Sequence, residues 1–140
     1  MNKIRLIAID PGIVITGFSI LEFYKSQINL LAYGAIKPPK EEKIEKRLMY
    51  LYDEANIIIR KFEPAVMAIE DLFYSKNVKS AFILGQARSS IMLAGAKSNL
   101  DIYHFAPRKI KQSVCGSGSA TKEQIQFMVM QILRLKTSPN

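Results

Sequence analysis

The strongest constraint on this chain is a change in the spacing of its apolar residues between the pair Pro38 and Pro39 and the later Pro64. Before it, apolar residues fall in short strand-like runs. Within it, Ile44, Leu48, Leu51, Ala55, Ile58 and Phe62 recur at intervals of four and three, which lines one stripe of a helix. Ala65 to Ile69 follows, apolar throughout as a buried parallel strand should be, and it ends in the acidic pair Glu70 and Asp71. A strand, a long helix and a returning strand make a crossover unit. This fourth strand is therefore expected to run parallel to one of the earlier ones.

Leu6 to Asp10, Ile15 to Leu21 and Ile28 to Ile36 read as three strands joined by short turns, an antiparallel meander with Pro11 and Gly12 at its first bend. A second helix is expected over Ser80 to Lys97. Its small residues Gly85, Ala87, Ser89, Ser90, Ala94, Gly95 and Ala96 permit close approach, either inside the domain or across a subunit interface. Ile102 to Phe105 is a fifth strand. Pro107 opens a helix through Val114, Gly116 to Ser119 breaks it, and Thr121 with Gln124 forms a capping box for a last helix over Lys122 to Lys136. Such an order implies an α/β fold, a mixed five-stranded sheet flanked by helices.

At 140 residues the chain has the size of a single domain, with enough core to need no disulfide or metal staple. Its one cysteine, Cys115, points to a reducing compartment. No stretch approaches the roughly 20 apolar residues of a membrane span, and Met1 to Asp10 carries no signal-peptide pattern. A cytoplasmic protein without membrane partners is expected. The net charge of +8 is segregated: residues 76–140 hold 10 basic side chains against only Asp101 and Glu123, whereas residues 1–75 are balanced. A one-sided excess of this kind suits a polyanion, because each phosphate neutralised releases condensed counterions. A basic surface without a partner is the plainer alternative.

Asp10 and Glu70 both stand at strand ends, where sites form in open α/β sheets. If their strands are neighbours, two hard oxygen donors lie close together, an arrangement that calls for a cation. Mg²⁺ is the usual occupant when the substrate carries phosphates. One or two such ions could serve phosphodiester hydrolysis, with Mn²⁺ as an alternative. The plainer reading makes Asp10 a turn cap and Glu70 a solvated strand end. Gly12 and Gly17 flank a turn whose backbone could approach a phosphate. The pattern Asp10, Gly12, Thr16, Gly17 is similar to the first phosphate loop of the actin and sugar-kinase ATPases, but those need two such domains and more than twice this length. Gly116, Ser117, Gly118 and Ser119 lie between Lys111 and Lys122, a combination of free backbone N–H groups and cations fitted to phosphate oxygens or, alternatively, an ordinary linker. Phe73 and Tyr74 beside Lys76, Asn77 and Lys79 suggest stacking on an exposed base, against the alternative of core packing. His104, the only histidine, is read as structural.

Ile9-Asp10-Pro11-Gly12 with Thr16-Gly17, Ala68-Ile69-Glu70 followed by Phe73 and Lys76-Asn77, Leu84-Gly85-Gln86-Ala87-Arg88, and Lys111-Gln112-Ser113-Val114 leading to Gly116-Ser117-Gly118-Ser119-Ala120 resemble, in order and spacing, the RuvC family. The resemblance covers essentially the whole chain. It implies a ribonuclease H-like fold and a homodimeric, Mg²⁺-dependent Holliday junction resolvase that nicks two opposed strands of four-way DNA. It further implies Asp10 and Glu70 as metal-binding catalytic carboxylates, Phe73 as the aromatic that inserts near the junction centre, and Lys111 and Lys122 as contacts to the DNA backbone. The second helix would supply much of the dimer interface, and the branch-migration proteins RuvA and RuvB would be partners. Family members carry two further acidic ligands on a last helix. This sequence stops short of them, so a truncated chain is expected, with junction binding without cleavage as the alternative activity.

Overall fold

The computed structural model describes residues 3–25, 27–72 and 77–105. It contains β1 (Ile4–Asp10), β2 (Thr16–Tyr24), β3 (Gln27–Ile36), α1 (Ile44–Phe62), β4 (Val66–Glu70), α2 (Val78–Lys97) and β5 (Asp101–Phe105). The five strands form one sheet in the order β3-β2-β1-β4-β5. β1, β2 and β3 pair antiparallel, and β4 pairs parallel with both β1 and β5. The mixed sheet and the crossover expected from the apolar spacing are both present. The helices expected after Pro107 lie outside the described residues.

Both faces of the central strands are buried, which accounts for their unbroken apolar sequences. Ile7, Ile9, Ile20, Met67 and Ile69 face the helices and pack with Leu51, Ala55, Ile59, Ala87, Ile91 and Ala94. Leu6, Ala8, Leu21, Phe23, Val66 and Ala68 form a second cluster on the opposite face. Chain ends of α1 are set by local chemistry. Glu63 takes a left-handed conformation at φ 50° and donates its N–H to the Ile59 carbonyl, and Pro64 cannot continue the helix. Arg5 then donates to the Phe62 carbonyl at 2.8 Å while pairing with Glu22 at 2.9 Å.

One detail departs from the sequence reading, and for α2 one of its two alternatives is observed. The fully buried line of α1 is Leu51, Ala55 and Ile59, with Leu48, Ile58 and Phe62 half-buried beside it and Ile44 exposed. The stripe is wide because α1 packs on the sheet and on α2 together. Most small residues of α2 serve internal packing. Ala87 and Ala94 are fully buried, and a Cβ at Gly95 would stand 2.9 Å from Cε of Met67, so the helix backbone presses on β4. Ser90 donates to the Leu48 carbonyl at 2.6 Å, tying α2 to α1. The outward face of α2 carries large apolar residues instead: Val78, Phe82 and Leu93 are all exposed.

Candidate active site

The parallel register of β1 and β4 runs from Leu6 against Val66 to Ile9 against Ile69. Asp10 and Glu70 are each one residue beyond that last pair, at the carboxyl ends of adjacent strands. Side chains alternate along a strand, and Ile9 and Ile69 point under the helices. Both carboxylates therefore leave the opposite face, side by side on strands about 4.8 Å apart. The chain turns from β1 toward β2 on one side and resumes at β4 on the other, so the pair stands at the point where strand order reverses. Gly17 is the cross-strand partner of Asp10, and a Cβ on it would lie 3.8 Å from the Asp10 Cβ. A side chain at 17 would start in van der Waals contact with Asp10 and extend along its flank. Glycine leaves its flank open.

The loop after Asp10 is built tightly. Gly12 donates its N–H to Oγ1 of Thr16 at 3.0 Å, and the same hydroxyl donates back to the Gly12 carbonyl at 2.7 Å. Thr16 is completely buried, so one side chain closes the whole bend. A Cβ at Gly12 would fall 2.4 Å from the Ile15 carbonyl oxygen, which explains the glycine. From α1, Arg47 donates to the Ile13 carbonyl at 2.9 Å.

The segment after Glu70 is held by Arg88 of α2. Its Nε donates to the Glu70 carbonyl at 3.0 Å, a terminal nitrogen lies 3.3 Å from the Asp71 carboxylate, and the same nitrogen meets Nδ1 of His104 on β5. Asp71 is thus engaged on the helix side, away from the Asp10 and Glu70 pair. Asp101 sits at the amino end of β5, in register with Val66, far from the carboxyl ends. His104 has the structural part expected of it. Asn77 accepts the Ser80 N–H at 3.1 Å and caps α2, a structural duty that its reading as a DNA contact did not include. Lys79 is exposed in the first turn of that helix. Phe73, Lys76, Lys111, Gly116, Ser117, Gly118, Ser119 and Lys122 lie outside the described residues.

The sequence reading gave no role to Arg47 or Arg88. For Arg88 a signal existed: it is the only charged residue between Lys79 and Lys97, placed on an apolar helix. Whether a cation fits is decided by the donors. Among the described residues no group of three or more His, Cys, Asp or Glu side chains converges on one point. Mg²⁺ nevertheless binds through one or two carboxylates and completes its shell with waters and substrate phosphates. Asp10 and Glu70 fit that demand. No described helix is long and apolar enough to cross a membrane.

Residues 6–140 match the family model described as Crossover junction endodeoxyribonuclease RuvC. The chain is 41% identical over 134 residues to the protein of that name from Natranaerobius thermophilus, covering 96% of this chain and 83% of the relative. Against the one from Caldicellulosiruptor saccharolyticus the identity is 43% over 136 residues, covering 96% and 82%. Among solved structures, Thermus thermophilus RuvC matches with a TM-score of 0.70 at 26% identity, over 98% of this chain and 84% of that one. The structure of T. thermophilus RuvC in complex with Holliday junction substrate matches with a TM-score of 0.73 at 23% identity, over 98% and 83%, a likeness of fold. The expected ribonuclease H-like α/β architecture is the one observed.

Proposed function

Because the chain belongs to the RuvC family of crossover junction endodeoxyribonucleases, we propose that it resolves Holliday junctions by nicking four-way DNA at a divalent cation held by Asp10 and Glu70. The observation that carries this reading is the juxtaposition of the two carboxylates at the same end and on the same face of neighbouring parallel strands. A cation bound there supplies charge neutralisation and Lewis acidity at the scissile phosphate. The chain's own residues do the rest. Asp10 and Glu70 bind and orient, the braced Gly12–Thr16 bend and the bare flank at Gly17 let a phosphate backbone approach, and Lys111 and Lys122 offset phosphate charge. Phe73, Lys76, Asn77, Lys79 and the Gly116, Ser117, Gly118, Ser119 segment complete the DNA surface.

Two symmetric nicks need two active sites, and a homodimer supplies them. The outward stripe of α2, with Phe82 and Leu93 exposed and Met49 and Leu72 beside it, supports an interface there. Residues 1–140 act in this reading as one nuclease domain, with RuvA and RuvB as partners and the cytoplasm as the compartment.

The deciding experiment is nicking of a labelled four-way junction by the 140-residue chain in Mg²⁺, with linear duplex as control and binding followed in the same tubes. Symmetric, junction-specific nicks are expected; absence of both binding and nicking overturns the proposal. Binding alone would support the second reading, a junction-binding module. Asp10→Asn should abolish nicking while junction affinity stays within about threefold, because one lost charge damages cation binding more than phosphate contacts. Loss of affinity in that variant would count against the assignment.

A further inference from the structure

We propose that Arg88 is a positioning residue for Glu70, acting from the helix side of the sheet on the carboxylate's own backbone. The proposal rests on the reading of Glu70 as a cation ligand given above, and deepens it. Arg88 is nine-tenths buried in a helix face otherwise built of Ala87, Ser90, Ile91, Ala94 and Gly95, where Ser90 spends its hydroxyl on the Leu48 carbonyl of α1. Burying a guanidinium carries a desolvation cost, and an apolar side chain of similar volume would pack α2 on the sheet at least as well. Packing therefore does not explain an arginine here.

The direction of its contacts does. The Glu70 carbonyl, the Asp71 carboxylate and the His104 ring receive its Nε and one terminal nitrogen, and its other terminal nitrogen rests on the Met92 sulfur at 3.2 Å. Three of the four partners belong to the carboxyl ends of β4 and β5. One rigid planar fork thus fixes the peptide plane after Glu70 and the path of the chain leaving the strand. A Glu side chain starts from that backbone, so a turn of the 70–71 peptide would swing its carboxylate relative to Asp10. Partners behind a metal ligand typically matter about 10- to 100-fold for affinity or activity.

The test compares the full chain with Arg88→Met, which keeps volume without donors, and Arg88→Lys, which keeps charge without the fork. Four quantities are read: melting temperature, junction affinity in chelator, the Mg²⁺ dependence of single-turnover nicking, and Ca²⁺ affinity by calorimetry. For Arg88→Met the expected result is a nicking rate lowered at least about tenfold, with half-maximal nicking moved to higher Mg²⁺ and Ca²⁺ bound more weakly. Melting temperature and chelator-phase junction affinity should change little, and Arg88→Lys should recover part of the loss. If Arg88→Met fails to fold, Arg88→Lys decides by the same readouts. Unchanged cation dependence overturns the proposal, as does a rate loss matched by equal losses of stability and junction binding. Should the unsubstituted chain not nick, the nuclease reading fails on its own, and Ca²⁺ affinity still judges Arg88: about tenfold weakening supports it, whereas equal or absent binding in both chains overturns it.

Discussion

At the residue scale, the bend after Asp10 is closed by a single hydroxyl. Thr16 both accepts from and donates to Gly12, and it does so without any exposure to solvent. Thr16→Val keeps the shape and removes both bonds, leaving two backbone groups unpartnered. The expected cost is about 1–3 kcal/mol in chemical denaturation, with a fall in nicking larger than the fall in junction affinity. A Thr16→Ser variant should restore most of both. Gly12→Ala strains the same bend by another route, since the added methyl would meet the Ile15 carbonyl at 2.4 Å. It should lose about 1–3 kcal/mol on the same measurement.

At the scale of elements, α2 divides its labour. Its inner side uses Ala87, Ala94 and Gly95 to bring the backbone onto β4, and its outer side leaves Phe82 and Leu93 exposed. If α2 forms the interface of the proposed homodimer, Phe82→Glu should lower the dimer fraction at least about tenfold in sedimentation while leaving the melting temperature within a few degrees, since an exposed position adds little to the monomer's fold. Equal sedimentation of variant and parent would remove α2 from the interface. The same helix shows what sequence alone could and could not reveal. The spacing of Ile44 to Phe62 and the apolar run ending at Glu70 were enough to foresee the crossover, whereas the neighbourhood of β1 and β4 that sets Asp10 beside Glu70 stayed conditional in the sequence. The split between inner and outer faces of α2 was not legible, because small residues suit a sheet and a subunit equally. Nor was the work of Arg88, whose partners lie on two other strands and come near only when the sheet is assembled.

For the whole molecule, charge and site are distributed unequally along the chain. The basic excess falls entirely after residue 75, whereas Asp10 and the acidic end of β4 precede it. Junction binding should weaken steeply with salt, and Lys111→Ala and Lys122→Ala should each reduce the slope of log affinity against log salt by about one. An unchanged slope would return either lysine to a solvated face. Distance along the chain also sets the order of events during synthesis. Asp10 emerges with a meander that can close through neighbouring hairpins, whereas Glu70 joins it only after α1 has crossed the sheet. Contacts between remote segments form late, since loop entropy is lost before they compensate it. Until α1 and β4 are made, Asp10 stands without Glu70 beside it, so in the reading proposed above the cation site cannot assemble before the sheet has grown through β4.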